Sequence, residues 1–132
     1  MEMKKVVVTG ANSYIGVNLI KLCIKKKIHV IAFCRNKILL KATFKKSKFL
    51  SFYHYELTKK IEFNFTKIDT IFHLAQERMK ICDKNFTKNS NIVAAKNLIK
   101  VISVSKKTNI VYLSSHLAYG GTLSHYGKSK FE

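Results

Sequence analysis

Apolar residues along this chain fall in short unbroken runs, separated by stretches in which apolar positions recur every three to four residues. Residues 5–9 (Lys-Val-Val-Val-Thr) show no polar alternation, as expected of a strand buried on both faces. The next segment places Ile15, Leu19, Leu22 and Cys23 at helical spacing. It ends in Lys25-Lys26-Lys27, cations that suit the negative end of a helix dipole. Residues 28–34 read as a second strand, 37–46 as a short helix and 49–55 as a third strand. A fourth apolar strand is expected at 69–74. Over 91–103, Ile92, Ala95, Ile99 and Ile102 share one helical face, with Lys96 and Lys100 on another. Residues 109–113 read as a fifth strand, and 126–132 should open a last helix. Continuously apolar strands alternating with helices predict an α/β fold, a doubly wound parallel sheet covered on both faces. No repeat, linker or composition shift divides it, so 1–132 is expected to be one domain.

Composition narrows the class. The 132 residues suffice for one core and not for two. An apolar content of 47% and a charged content of 24% are globular proportions. No apolar run approaches the roughly 18 residues of a membrane span, and the first five residues lead straight into a strand rather than a signal peptide. A cytoplasmic location and no membrane partner are expected. Cys23, Cys34 and Cys82 lack metal-ligand spacing, and no carboxylate pair or His/Cys cluster suggests a metal, so reduced, mostly buried thiols are expected. The net charge of +18 raises a nucleic-acid reading, and Phe44-Lys45-Lys46-Ser47-Lys48-Phe49 interleaves rings with cations. Yet the lysines are spread along the whole length and no RNA-binding signature accompanies them. A general attraction for anionic ligands follows in either case.

Two segments carry candidate chemistry. Thr9-Gly10-Ala11-Asn12-Ser13-Tyr14-Ile15-Gly16 follows a strand and opens a helix. Gly10 permits the tight turn, Gly16 permits close packing of helix on sheet, and the free amides at the positive end of the helix can hold a pyrophosphate. Ser13 stands where a glycine normally lets backbone approach phosphate; its hydroxyl can donate there instead. About twenty residues on, an acid would hold the ribose hydroxyls of NAD. Cys34-Arg35-Asn36 offers none. Arg35 suits the extra phosphate of NADP, the alternative being one more surface cation, so NADP is favoured over NAD. Ser115 closes the fifth strand, at the end where open α/β sheets bind ligands. Tyr126 and Lys130, four apart, share a helix face. The ammonium favours the phenolate and equips Tyr126 for proton transfer. His73 reads as a hydrogen-bonded, near-core histidine rather than a ligand.

Together these segments resemble the extended branch of the short-chain dehydrogenase/reductase superfamily, the NAD-dependent epimerases, dehydratases and reductases of nucleotide sugars. Residues 9–16 are similar to the branch's cofactor loop with serine for its central glycine, which implies cofactor contacts from Gly10, Asn12, Ser13, Tyr14, Ile15 and Gly16. Glu56-Leu57 sits where the branch usually has an Asp-Leu pair touching adenine. Asp69-Thr70-Ile71-Phe72-His73-Leu74-Ala75 resembles the fourth-strand signature, which implies that Leu74 and Ala75 meet the cofactor. Asn91, followed by Asn97-Leu98-Ile99, is similar to the next helix signature. Leu113-Ser114-Ser115 and Ala118-Tyr119-Gly120 resemble the Ser-Ser…Tyr-Gly element, with Ser115 as the catalytic serine. Tyr126-Gly127-Lys128-Ser129-Lys130 resembles the catalytic Tyr-x-x-x-Lys, whose Lys130 would also hold the nicotinamide ribose.

The resemblance implies a Rossmann-like NAD(P)-binding domain and hydride transfer between nicotinamide and a sugar carbon. Family members usually continue well past the Tyr-x-x-x-Lys helix into a smaller substrate domain. The expectation is therefore a Rossmann portion truncated after that segment. It would act on a nucleotide sugar in its complete form, this chain being a fragment, an incomplete gene product or one that needs a second polypeptide; a homo-oligomer or a complementing chain is the expected protein partner. Two alternatives stay open: a non-catalytic module or subunit that binds a nicotinamide cofactor, and a basic nucleic-acid-binding protein.

Overall fold

The computed structural model describes residues 2–77, 84–105, 107–115, 118, 120–121 and 130. In chain order the elements are β1 (Lys5–Thr9), α1 (Tyr14–Lys25), β2 (His29–Cys34), α2 (Ile38–Phe44), β3 (Leu50–His54), β4 (Thr70–His73), α3 (Lys84–Ile102) and β5 (Asn109–Tyr112). All four strand pairings are parallel and the sheet order is β3-β2-β1-β4-β5. The order reverses direction at β1, which has β2 on one side and β4 on the other. That crevice is where open α/β sheets take their ligands.

Alternation along the central strands explains the two layers. Val6 and Val8 of β1 point into one core with Ile20 and Cys23 of α1, Val30 and Ala32 of β2, and Leu40 of α2. Val7 points the other way, into a core with Ile31, Phe33, Ile71, and Leu98 and Ile102 of α3. A strand buried on both sides cannot show polar alternation, which is why these runs read as unbroken. The connection from β3 to β4 has no helix. Its Ile61, Phe65 and Ile68 instead fill the second core, where Phe33 meets the rings of Tyr53, Phe63 and Phe65 at centroid separations of 4.6, 5.2 and 6.0 Å.

The five expected strands and the first three helices all form, with ends shifted by a residue or two except at α3. That helix begins seven residues before Asn91. Residues 84–90 (Lys-Asn-Phe-Thr-Lys-Asn-Ser) carry no apolar periodicity, so the pattern could not announce them. β5 lies at the sheet edge, and Ile110, Val111 and Tyr112 are 39–46% exposed. Of the expected last helix only Lys130 is among the described residues.

Candidate functional site

The turn between β1 and α1 is built around two glycines. Gly10 takes φ +67°, a conformation that side chains disfavour. A Cβ there would come within 2.7 Å of the Ala75 nitrogen and 2.8 Å of the Leu74 carbonyl carbon. Gly10 therefore does more than turn the chain, since it lets the exit of β4 lie directly on the loop. Gly16 differs from expectation. A Cβ there would strike the Gly10 carbonyl oxygen and lie 3.0 Å from the Ala11 Cα, so the close approach is to the loop itself and not to the sheet.

Ser13 is the N-cap of α1, and its Oγ accepts from the Gly16 amide at 3.0 Å. This fixes the start of the helix where a glycine would leave it uncapped. The hydroxyl hydrogen remains a donor, and the first-turn amides of Tyr14 and Ile15 have no acceptor within the helix. Asn12 Nδ2 donates to the Asn36 carbonyl at 3.0 Å, joining the loop to the exit of β2.

A cavity of about 420 Å³ opens at the C-terminal ends of β1 to β4. Gly10, Asn12, Ser13, Arg35, Glu56, Leu57 and Ala75 line it, seven of the residues the sequence proposed. The other proposed residues sit elsewhere. Tyr14 and Ile15 are 85% and 48% exposed. Gly16 is buried beneath the loop, and Leu74 packs into the α1 side of the sheet. Asn91 is not in the lining. Its Oδ1 accepts from the Glu77 amide at 2.8 Å and its Nδ2 donates to the Glu77 carbonyl at 3.3 Å, clamping the loop after β4 from behind. Sequence reading missed Phe33, Cys34, Asn36, Tyr55, Thr58, Gln76, Glu77 and Ser90 in the lining. Their only signal is position, since most follow or end a strand.

The Glu56 carboxylate is engaged on both oxygens, by His54 Nε2 at 3.1 Å and Lys59 Nζ at 3.0 Å. Those hydrogen bonds, His54 first, hold its carboxyl below the usual range. Tyr55 is buried, and its hydroxyl has no hydrogen-bond partner among the described residues. Burial pushes that phenol up to about 12 and keeps it protonated at neutral pH. Cys23 and Cys34 are buried, as expected, and burial raises both thiols; Cys82 lies outside the described residues.

Beneath the cavity floor, the Thr9 Oγ1 meets three partners: His73 Nδ1 at 2.8 Å and the amides of Leu74 and Ala75 at 3.1 Å each. His73 is 3% exposed, so it is the hydrogen-bonded core histidine that the sequence suggested. Burial, with a smaller push from the Lys130 charge, lowers it to about 4. Its ring stacks on Tyr112, the residue paired with it across β4 and β5, at 5.7 Å and 21°.

Of the three proposed catalytic residues, Tyr126 lies outside the described residues. Ser115 is half-buried three residues past β5. Lys130 is buried, donates to the Leu113 carbonyl, and holds Nζ 4.4 Å from the Tyr112 ring centroid. Burial pulls its ammonium below the ordinary lysine range. Among the described residues no cluster of metal-ligating side chains occurs, and no helix is long and apolar enough to cross a membrane.

The sequence model of the NAD dependent epimerase/dehydratase family matches residues 6–131. The chain belongs to that family. No curated sequence matches it. Among solved structures, UDP-glucuronic acid 4-epimerase from Bacillus cereus, in complex with NAD, is similar at TM-score 0.81 and 21% identity, over 96% of this chain and 49% of that one. Gre2 from Candida albicans, in complex with NADPH, gives TM-score 0.81 and 19% identity, over 96% of this chain and 49% of that one. UDP-glucose 4-epimerase from Bifidobacterium longum, in complex with NAD+ and UDP, gives 0.82 and 18%, over 97% and 46%. This epimerase/dehydratase-family chain thus spans about half the length of those structures and shares their Rossmann-like fold.

Proposed function

We propose that this chain is the cofactor-binding portion of an NAD(P)-dependent epimerase, dehydratase or reductase of a nucleotide sugar, with NADP favoured over NAD. The cavity at the strand ends, floored by Gly10 against Ala75, is the observation that carries the reading. A dinucleotide fits its chemistry. Bare loop backbone at Gly10, the first-turn amides of α1 and the Ser13 hydroxyl would hold a pyrophosphate. Arg35 on the cavity wall, with no acid at the end of β2, suits a phosphate on the ribose. Leu57 would contact the adenine, while Glu56, held by His54 and Lys59, would help shape its pocket rather than grip it.

When bound, the nicotinamide dinucleotide supplies a hydride donor or acceptor. The chain's own part is proton handling and positioning. Tyr126 would move the proton at the substrate oxygen, Ser115 would hold that oxygen, and the Lys130 ammonium would favour the Tyr126 phenolate. The nucleotide sugar would be held largely by polypeptide beyond these residues, in the same chain, a complementing one or a second copy. Two of the neighbours are named for UDP-sugars, which supports that substrate class. A cytoplasmic setting accords with the free thiols of Cys23 and Cys34.

Titration of the purified chain with NADPH and NADH, followed by cofactor fluorescence, tests the cofactor half of this reading. Saturable binding with NADPH tighter is expected, and Arg35→Gln should bring the two affinities together. A folded chain that binds neither would overturn it. For the catalytic half, Tyr126→Phe in a complete, active form should lower kcat by about 10²-fold or more; unchanged turnover would remove Tyr126 from the mechanism.

A further inference from the structure

We infer that His73 is a positioning residue for the cofactor pocket, serving as the acceptor that orients the Thr9 hydroxyl and, through it, the backbone of Leu74 and Ala75. The inference rests on the cofactor reading above and adds a residue to it. A threonine hydroxyl has one hydrogen to give and two lone pairs to accept with. The amides of Leu74 and Ala75 can only donate, and both point at Thr9 Oγ1 from 3.1 Å. They take both lone pairs. The single hydroxyl hydrogen is then left for His73 Nδ1 at 2.8 Å. Nδ1 must therefore carry the lone pair, and the ring proton of the neutral imidazole sits on Nε2.

The consequence reaches the pocket because Ala75 is its floor. The Ala75 nitrogen lies 2.7 Å from where a Gly10 Cβ would stand, so a small movement of this turn changes the shape of the loop that meets the ligand. Thr9 is fully buried and holds the turn through two amides at once. Asn91 holds the same segment two residues later, at Glu77. An imidazolium at position 73 would present a hydrogen to an oxygen whose lone pairs are already taken, and Thr9 would have to release one amide. Burial and the neighbouring Lys130 ammonium keep His73 neutral, so the arrangement holds across the neutral pH range.

Two readouts test this on the intact chain. In histidine-labelled protein, ¹⁵N NMR should show the His73 signals, identified by their loss in His73→Asn, with a protonated Nε2 and an unprotonated Nδ1 from pH 8 to 5. A protonated Nδ1 would overturn the inference. In NADPH titrations, Thr9→Val and His73→Leu should each weaken binding about tenfold, the worth of one hydrogen bond lost from a buried network. Thr9→Ser, which keeps the hydroxyl, and His73→Asn, whose Oδ1 can accept in place of Nδ1, should stay within about threefold of the parent. If His73→Asn and His73→Leu lose affinity equally, the histidine only fills space and the inference fails. Should the parent chain bind no NADPH, the cofactor reading falls and takes the positioning role with it; the NMR result would still stand as a test of the hydrogen-bond assignment alone.

Discussion

At the residue scale, environment decides what each side chain can do. His73 has about 4 as its folded value against the ordinary 6.5. Above pH 6.5 both folded and unfolded chains hold it neutral and it contributes no slope. As pH falls from 6.5 towards 4 the unfolded chain takes up a proton that the folded chain refuses. Stability should therefore drop across that window by on the order of 3 kcal/mol. Urea unfolding of the parent and of His73→Asn at pH 7 and pH 4.5 checks this, since the variant should lose the part of the slope that His73 supplies. Tyr55→Phe removes a buried hydroxyl that has no partner among the described residues, so it should be neutral or stabilising in the same assay. Gly10→Ala meets both a positive φ and the Ala75 backbone, and should cost about 2 kcal/mol or more. The need for Gly10 was legible in the sequence, whereas the Thr9–His73 bond was not. It joins residues 64 apart, and spacing along the chain cannot show which side chains two parallel strands bring face to face.

At the element scale, the β1–α1 unit shows how a departure from the usual loop pattern is accommodated. Ser13 gives up the bareness of a glycine and caps α1 instead. Ser13→Ala should cost about 1 kcal/mol of stability, while Ser13→Gly should cost only a few tenths. Thermal unfolding with and without NADPH separates that cap from any phosphate contact, which both substitutions would remove alike. Strands buried on both faces were legible because an unbroken apolar run must be covered on both sides. The first two turns of α3 were not, for residues 84–90 carry no stripe. The role of Asn91 also escaped the sequence: a motif position gives a residue's address, and its side chain proved to hold the Glu77 backbone. β5 stands at the sheet edge with Ile110, Val111 and Tyr112 partly exposed. Such an edge invites pairing. Val111→Lys should reduce self-association of the 132-residue chain in sedimentation velocity; an unchanged distribution would show that the edge is not what drives association.

At the scale of the whole molecule, charge and topology act together. No acidic residue occurs between Glu2 and Glu56, so β1, α1, β2 and α2 carry cations alone around one side of the crevice. An anionic ligand is drawn to that field, and its affinity should fall with added salt. Attraction of this kind is not recognition, because any polyanion shares it. What would set the proposed pyrophosphate site apart from such attraction is the shaped floor where Gly10 lies on Ala75. The most direct test is therefore NADPH binding at moderate salt by the parent chain and by Gly10→Val, with circular dichroism confirming that both are folded. Saturable binding by the parent, weakened at least tenfold in the folded variant, is the expected result. Equal binding by the two, or binding that salt abolishes in both, would mean that the charge attracts the dinucleotide and the glycine loop does not hold it.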